Sequence, residues 1–170
     1  MKRALATALL LAGCGREAPH ETASAGARLE ATATAAGLVA DVRKQALTGS
    51  WVLDTDHACV VPTTDVGADT GGDPRESRIG VLVDYGDGQG CAASGTVRRD
   101  GARLDVRLGA CRIEARLDPG RIVFPAEVPD ECQALCTGRA SLEAFTAEQV
   151  SGSRSEAATL RTPGGRLLCG

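Results

Sequence analysis

Residues 91–117, CAASGTVRRDGARLDVRLGACRIEARL, decide the fold of this chain. Small or apolar residues recur at every second position, and arginines and acidic residues alternate with them along most of the stretch. A period of two predicts half-buried β-strands whose apolar side chains share one face. Asp100-Gly101 predicts a two-residue hairpin turn. The predicted inward residues are Cys91, Ala93, Gly95, Val97, Leu104, Val106, Leu108, Cys111, Ile113, Ala115 and Leu117.

The alternation slips by one residue between Leu108 and Cys111. One extra residue at Gly109-Ala110 accounts for the slip as a β-bulge. With the hairpin turn at Asp100-Gly101, this bulge moves Cys111 opposite Cys91. A cross-strand disulfide between Cys91 and Cys111 is therefore one predicted pairing.

The flanking sequence extends the same pattern on both sides. Strands are predicted at residues 51–53, at 58–61 before Pro62, at 78–85 with Ile79, Val81, Val83 and Tyr85 on one face, and at 122–124. Turns are predicted at residues 86–90 (GDGQG) and at Asp118-Pro119-Gly120, and a polar loop at residues 63–76. The predicted fold is mainly β: a small antiparallel meander or barrel, stabilised by disulfides.

Residues 129–138, PDECQALCTG, predict one short Cys-bearing helix that begins at Asp130 and ends at Gly138. Cys132 and Cys136 would share a helical face, and an i,i+4 pair fits disulfide geometry poorly, so each is expected to reach a different segment. Cys169 would pin the C-terminus. Residues 140–150 are compatible with either helix or strand.

The first fourteen residues have the pattern of an export signal. Lys2 and Arg3 precede the apolar run LATALLL, which is shorter than the roughly 20 residues that cross a bilayer. The string LAGC at residues 11–14 resembles the lipobox of bacterial lipoproteins. In that family the Cys is diacylated on sulfur, becomes the new N-terminus and is acylated again. The resemblance implies lipidation at Cys14, a membrane contact through that lipid, and a cell-envelope location. In that family an Asp after the Cys commonly retains the protein at the inner membrane. Gly15 stands at this position, so the resemblance favours the outer membrane.

Three regions follow from these patterns. Residues 1–13 are the predicted lipoprotein signal peptide, and residues 14–40 are the lipidated Cys and a flexible tether, rich in Ala, Thr, Gly and Glu. Residues 47–170 are one small β domain, large enough to bury a core. Residues 38–47 (LVADVRKQAL) predict a short helix between the tether and this domain.

Six cysteines remain after Cys14: Cys59, Cys91, Cys111, Cys132, Cys136 and Cys169. An even number in an exported chain predicts a disulfide set, and six cysteines allow fifteen connectivities. A metal site is the competing hypothesis, but the chain has no Cys-x-x-Cys, and His20 and His57 are its only imidazoles. We therefore expect three disulfides, no metal and no cofactor.

Composition excludes several classes of partner. The chain carries a formal net charge of −3 and only four aromatic residues: Trp51, Tyr85, Phe124 and Phe145. A nucleic-acid partner requires a concentrated basic face, and base stacking or a cation–π cage requires more aromatic rings. We therefore expect no nucleic-acid partner. The predicted cell-envelope location is compatible with an envelope protein of unknown identity as the partner.

The nearest approach to a catalytic cluster is Asp54, Asp56 and His57. A histidine needs an orienting acid and a nucleophile or a metal to do acid–base chemistry, and neither Gly-x-Ser-x-Gly nor His-Glu-x-x-His occurs. The cluster is better explained as a solvated turn, and the chain is not predicted to be an enzyme. The acids in Gly-rich stretches are expected to serve as turn residues rather than calcium ligands: Asp65, Asp69, Asp73, Asp84 and Asp87.

An arginine strip is predicted on the outer face of the sheet, opposite the small aliphatic core face. Such a strip would hold phosphate or an anionic glycan by bidentate contacts, but Asp105 and Glu114 interrupt it, which is typical of a solvated surface of mixed charge. Its members are Arg98, Arg103, Arg107, Arg112 and Arg116.

Gly49-Ser50-Trp51, which precedes Cys59, resembles the start of lipocalin-like barrels and of small exported protease inhibitors of the Inh type. The resemblance covers about a dozen residues and implies an eight-stranded barrel. The predicted function is a lipid-anchored envelope protein with a binding or structural role. An inhibitor of a periplasmic or foreign hydrolase and a carrier of small apolar ligands are the alternatives. An apolar cavity behind Trp51 would favour the carrier, and the loop at residues 63–76 is where functional contacts would gather.

Overall fold

The computed structural model describes residues 19–38, 41–63 and 76–170. Two compact units divide the chain, one up to Val39 and one from Ala40 to Gly170. The first contains the α-helix α1, Pro19–Ala35. This segment was predicted to be flexible, but it is helical. Alanine has the highest helix propensity, and Pro19 occupies a first-turn position where proline is tolerated. A role for this segment as a tether stays a prediction.

The second unit is an antiparallel β-barrel. Eight of its strands close into a ring in which each strand pairs with the next along the chain, and the last pairs with the first. Closure leaves the ring without an unpaired edge, which removes a template for aggregation. The mainly β fold class is confirmed. The strands are β1 Gly49–Leu53, β2 Asp56–Pro62, β3 Glu76–Asp84, β4 Gly90–Asp100, β5 Arg103–Leu108, β6 Cys111–Asp118, β7 Arg121–Val123, β8 Cys136–Thr137 and β9 Thr146–Ser151. The two-residue β8 lies outside the ring and pairs with the start of β4.

The predicted alternation is confirmed in β5 and β6, where every second residue is buried and the residues between are exposed or half-buried. These side chains fill the barrel together with Trp51, Phe124 and Phe145. Trp51 is fully buried, and its indole N–H donates to the carbonyl oxygen of Leu47 at 3.2 Å. The apolar ring is thus removed from water, and its one hydrogen-bond donor keeps an acceptor.

Two turns differ from the prediction. Gly101 and Ala102 connect β4 to β5, one residue later than expected, because Asp100 pairs with Arg103. Gly109 and Ala110 are the turn between β5 and β6, so the predicted β-bulge is wrong: Leu108 pairs directly with Cys111. Gly109 has φ +64°, a conformation open to glycine that lets the chain reverse within two residues. A register shift of the bulge type does occur, in the pairing of β1 with β9 beside Ser50 and Trp51.

Residues 41–48, which we call the N-terminal cover, close one end of the barrel. Val42 packs on the core and Leu47 is buried in it. Turns, rather than the predicted helix over residues 38–47, occupy this segment. The Arg99 guanidinium donates to the carbonyl oxygens of Val42 and Gln45, and Gln45 accepts the backbone N–H of Gly120 at 3.0 Å. The compact unit therefore includes residues before the predicted start at Leu47.

Residues 124–145, which we call the disulfide clamp, close the opposite end. The clamp begins and ends with the packed rings of Phe124 and Phe145, whose centroids are 4.8 Å apart. Its short helix is a 3-10 helix, Asp130–Leu135, which begins at the predicted residue and ends three residues before Gly138, because Cys136 and Thr137 form strand β8. Residues 146–151, in the stretch that was ambiguous, form strand β9.

The C-terminal segment packs on the outside of the barrel. After the short helix α2, Arg154–Ala157, the chain crosses β2 and β3 and buries Leu168 and Cys169 in a second apolar cluster with Val61 and Leu82. Gly80 leaves room for this segment: a Cβ there would lie 2.5 Å from the Cβ of Leu168. The C-terminal segment therefore covers part of the outer face of β2 and β3.

Candidate functional site

The six cysteines of the barrel unit form three disulfides. They are Cys59–Cys169, Cys91–Cys136 and Cys111–Cys132, with S–S distances of 2.18, 2.04 and 2.08 Å. The predicted set of three is confirmed, as are the separate partners of Cys132 and Cys136 and the pinning of the C-terminus by Cys169. The predicted Cys91–Cys111 pair is wrong because the turn at Gly109-Ala110 sends β6 back along β5, away from β4.

Two of these bridges attach the disulfide clamp to the barrel. Cys111–Cys132 joins the start of β6 to the 3-10 helix, and Cys91–Cys136 joins the start of β4 to β8. Cys91, Cys111 and Cys132 are each 1% exposed, so these three sulfurs are shielded from solvent thiols.

The Asp54, Asp56 and His57 cluster does not converge on a site. Asp54 lies in the turn between β1 and β2 with φ +51°. Asp56 and His57 are consecutive residues of β2, and successive side chains of a strand point to opposite faces. Burial raises the pKa of Asp56 above its ordinary value of 3.8, partly opposed by the backbone N–H of Thr146, which donates to the Asp56 carboxylate at 3.0 Å. Asp56 thus joins the β1–β2 turn to the start of β9.

Asp84 and Asp87, the described members of the acidic set, both act as turn residues, as predicted. The Asp84 carboxylate accepts the backbone N–H of Gly86 at 2.9 Å, and Asp87 has φ +52°. Asp65, Asp69 and Asp73 lie outside the described residues. Among the described residues, no three His, Cys, Asp or Glu side chains are placed to hold a metal ion.

The arginine strip is divided by its own acids. Arg103 lies 3.7 Å from Asp105 and 3.8 Å from Glu114, and Arg116 is 2.7 Å from Asp118. Each of these arginines is exposed, as are Arg98, Arg107 and Arg112. The outer face of β5 and β6 is therefore a surface of mixed charge, and the strip offers no continuous anion-binding surface.

Two surface clefts of about 580 Å³ each stand out in the described part of the chain, and neither is lined by Trp51. The first lies over β6 and the end of β7, where the charges within the Arg103–Glu114 and Arg116–Asp118 pairs neutralise one another. The second, which we call the turn cleft, lies at the β3–β4 turn. It is lined by residues 82–84 and 86–92 together with Leu135, Thr137 and Pro163.

The turn cleft was not predicted, although one sequence signal bears on it. Residues 79–83, IGVLV, are apolar at consecutive positions, and a strand without alternation is covered on both faces. The sequence therefore indicated that Leu82, on the outer face of the strand, is covered by another segment of the chain. Leu135 and Pro163 are distant in sequence, and only the Cys91–Cys136 and Cys59–Cys169 bridges reveal that they approach the β3–β4 turn.

Cys14, the rest of the LAGC motif and residues 64–75 of the polar loop lie outside the described residues. Within the described ranges, no helix has the length and apolar character needed to cross a membrane. No family model, curated protein or solved structure matches this chain.

Proposed function

We propose that this chain is a lipid-anchored protein of the bacterial cell envelope whose disulfide-stabilised barrel binds another envelope protein. The observation that carries the proposal is the pairing of all six cysteines after Cys14 into three disulfides. Disulfides persist in oxidising compartments outside the cytoplasm, which is where a chain with an export leader and an LAGC lipobox would fold. Acylation on the Cys14 sulfur and on its new amino group would add two or more chains, enough for stable anchoring.

Protein binding fits the barrel better than carriage of a small apolar ligand inside it. Trp51 is fully buried, and the largest side chains of the core are packed around the barrel interior. Carriage would require an enclosed interior cavity, whereas the two clefts described above are open to the surface. The opposed directions of Asp56 and His57 likewise give no support to an enzyme.

Fractionation of cells that express the Cys14→Ser variant tests the anchor. A Ser at this position offers no sulfur for acylation, so we expect the variant in the soluble envelope fraction while the unmodified chain stays with membranes. Thr7→Ser, which leaves LAGC intact, is the matched control and should remain in the membrane. Membrane retention of Cys14→Ser would refute the anchor. Density separation of inner and outer membranes tests the outer-membrane location that Gly15 favours.

Inhibition of a hydrolase is the second candidate, favoured by the position of Gly49-Ser50-Trp51. These residues open the first strand of an eight-stranded barrel, and Trp51 is fully buried at its base. Resemblance to the Inh type predicts inhibition of a periplasmic or foreign protease. Titrating the oxidised protein against a panel of secreted serine and metalloproteases tests this, and full activity of every enzyme at excess protein would refute it.

A further inference from the structure

The turn cleft has an apolar floor formed by two facing strands. Leu82 and Ala92 are direct cross-strand partners on the outer face of β3 and β4. Leu135 of the disulfide clamp and Pro163 of the C-terminal segment line the cleft with them. Its volume of about 580 Å³ falls in the range of established binding sites, roughly 300–1,000 Å³.

Disulfides fix the segments around this cleft. Leu135 and Thr137 flank Cys136, which is bonded to Cys91, and the segment that carries Pro163 ends at Cys169, which is bonded to Cys59. The Thr137 hydroxyl lies 2.7 Å from the carbonyl oxygen of Gly88, to which it donates. A binding surface that is already rigid loses little conformational entropy when a partner docks.

The rim of the cleft is acidic. Asp84 and Asp87 are both exposed, and neither makes an ion pair with any part of the chain that the structure describes. Asp118 and Glu148, which are half-buried, are by contrast matched by arginines at 2.7 and 2.6 Å. The cleft is therefore complementary to a positive charge supplied from outside the described residues.

Tyr85, an exposed aromatic residue, is the chain neighbour of residues that line the cleft. Trp51, Phe124 and Phe145 are at most 2% exposed, whereas Tyr85 is 55% exposed. Tyr85 lies between Asp84 and Gly86, both of which line the cleft, and so stands beside the lining rather than in it. Tyrosine is among the residues most enriched in the energetic centres of protein interfaces, because it contributes apolar area and a hydroxyl at small entropic cost.

We propose that the turn cleft docks an extended segment of a partner protein that carries an apolar side chain beside a lysine or arginine. The apolar side chain rests on Leu82 and Leu135, the basic group meets Asp84 and Asp87, and Tyr85 covers the edge of the contact. The proposal depends on the proposed function only for the compartment in which the partner is found.

Fluorescence anisotropy with labelled peptides tests the site on the full, disulfide-bonded chain. The probes are Ser-Leu-Arg-Leu-Lys-Ser, its acidic counterpart Ser-Leu-Glu-Leu-Glu-Ser, and Ser-Gly-Arg-Gly-Lys-Ser, which lacks the apolar side chains. We expect the first to bind at least about tenfold more tightly than either of the others, since only it satisfies both floor and rim. Equal binding of the acidic peptide would overturn the proposal.

Variants then locate the contact. Tyr85→Ala should weaken binding of the basic apolar peptide about two- to threefold, because a side chain at the edge of a contact contributes less than one at its centre. Asp87→Asn keeps a residue that tolerates positive φ and should weaken binding about two- to fivefold by removing one rim charge. Asp100→Asn, an exposed position at the other end of the eleven-residue strand β4, is the control and should bind like the unmodified chain. Unchanged thermal midpoints show that all three variants are folded.

Two results would overturn the docking site. One is unchanged peptide affinity in both Tyr85→Ala and Asp87→Asn. The other is displacement of the labelled peptide by hexylammonium at the same concentration as by the unlabelled peptide. That result would make the cleft a small-ligand site. A membrane-retained Cys14→Ser variant would refute the anchor and leave the peptide result standing, so the two failures are distinguishable.

Discussion

The two ends of the barrel are closed by different kinds of interaction. The disulfide clamp is bonded covalently to β4 and β6, whereas the N-terminal cover is held by Arg99, Gln45 and Gln149 through hydrogen bonds to backbone groups and to one another. A disulfide acts mainly by restricting the unfolded chain, and a hydrogen bond acts by satisfying groups in the folded one. The clamp end should therefore resist local opening, and the cover end should depend on single side chains.

Removing one clamp bridge gives the largest expected effect. Cys91 and Cys136 are separated by 45 residues, and chain-entropy arguments predict that Cys91→Ala with Cys136→Ala lowers the free energy of unfolding by about 3–4 kcal/mol. Urea unfolding of the oxidised proteins measures this loss. Cys111→Ala with Cys132→Ala opens a loop of 21 residues and should cost somewhat less. Equal stability of the variants and the unmodified chain would contradict the covalent account of this end.

Replacing Arg99 tests the cover end. The half-buried guanidinium donates to the carbonyl oxygens of Val42, Gln45 and Gly101, so Arg99→Met should destabilise the barrel by about 2 kcal/mol and speed amide hydrogen exchange in residues 42–47. Arg112→Met, at an exposed position, is the matched control and should change stability by less than about 0.5 kcal/mol. Unchanged exchange in the cover would show that packing of Leu47, rather than Arg99, holds it.

The smallest expected effect is at Asp56, a polar contact at the clamp end. Because burial raises its pKa above 3.8, ionising Asp56 disfavours the folded state, and the unmodified protein loses stability as pH rises through the window just above 3.8. Asp56→Asn cannot ionise but still accepts the Thr146 N–H. Its stability relative to the unmodified chain should therefore increase across that window and level off above it.

Unfolding free energies measured from pH 3 to pH 7 check this dependence. Asp56→Ala, which also loses the hydrogen-bond acceptor, should be less stable than Asp56→Asn at every pH. Parallel curves for Asp56→Asn and the unmodified chain would show that the ionisation of Asp56 is not linked to folding.

The sequence predicted which side chains point into the barrel much better than it predicted which strands and cysteines pair. Alternation in residues 104–117 identifies every buried position correctly, because a strand's period is a local property. It cannot distinguish a bulge from a turn at Gly109-Ala110, since both displace the pattern by one residue. That single ambiguity reversed the direction of β6 and misassigned the partner of Cys91.

The candidate site was less predictable for the same reason. The turn cleft is assembled from residues 82–92, Leu135 and Pro163, which three separate parts of the chain contribute. Asp84 and Asp87 were correctly predicted as turn residues, but a turn residue's sequence context does not reveal the surface beside which it lies. Tyr85 was assigned to the inner face by its position after Ile79, Val81 and Val83, yet it is exposed because β3 ends at Asp84.

The Cys59–Cys169 bridge sets an order of events for a chain that emerges from its N-terminus. Cys59 must remain unpaired until 110 further residues have appeared, and during that time the thiols of Cys91, Cys111, Cys132 and Cys136 become available before its own partner does. Barrel closure waits almost as long, because β1 pairs with β9, which ends at Ser151. Any non-native bond that Cys59 forms in that interval must therefore be reversed by thiol–disulfide exchange before the native pair can form.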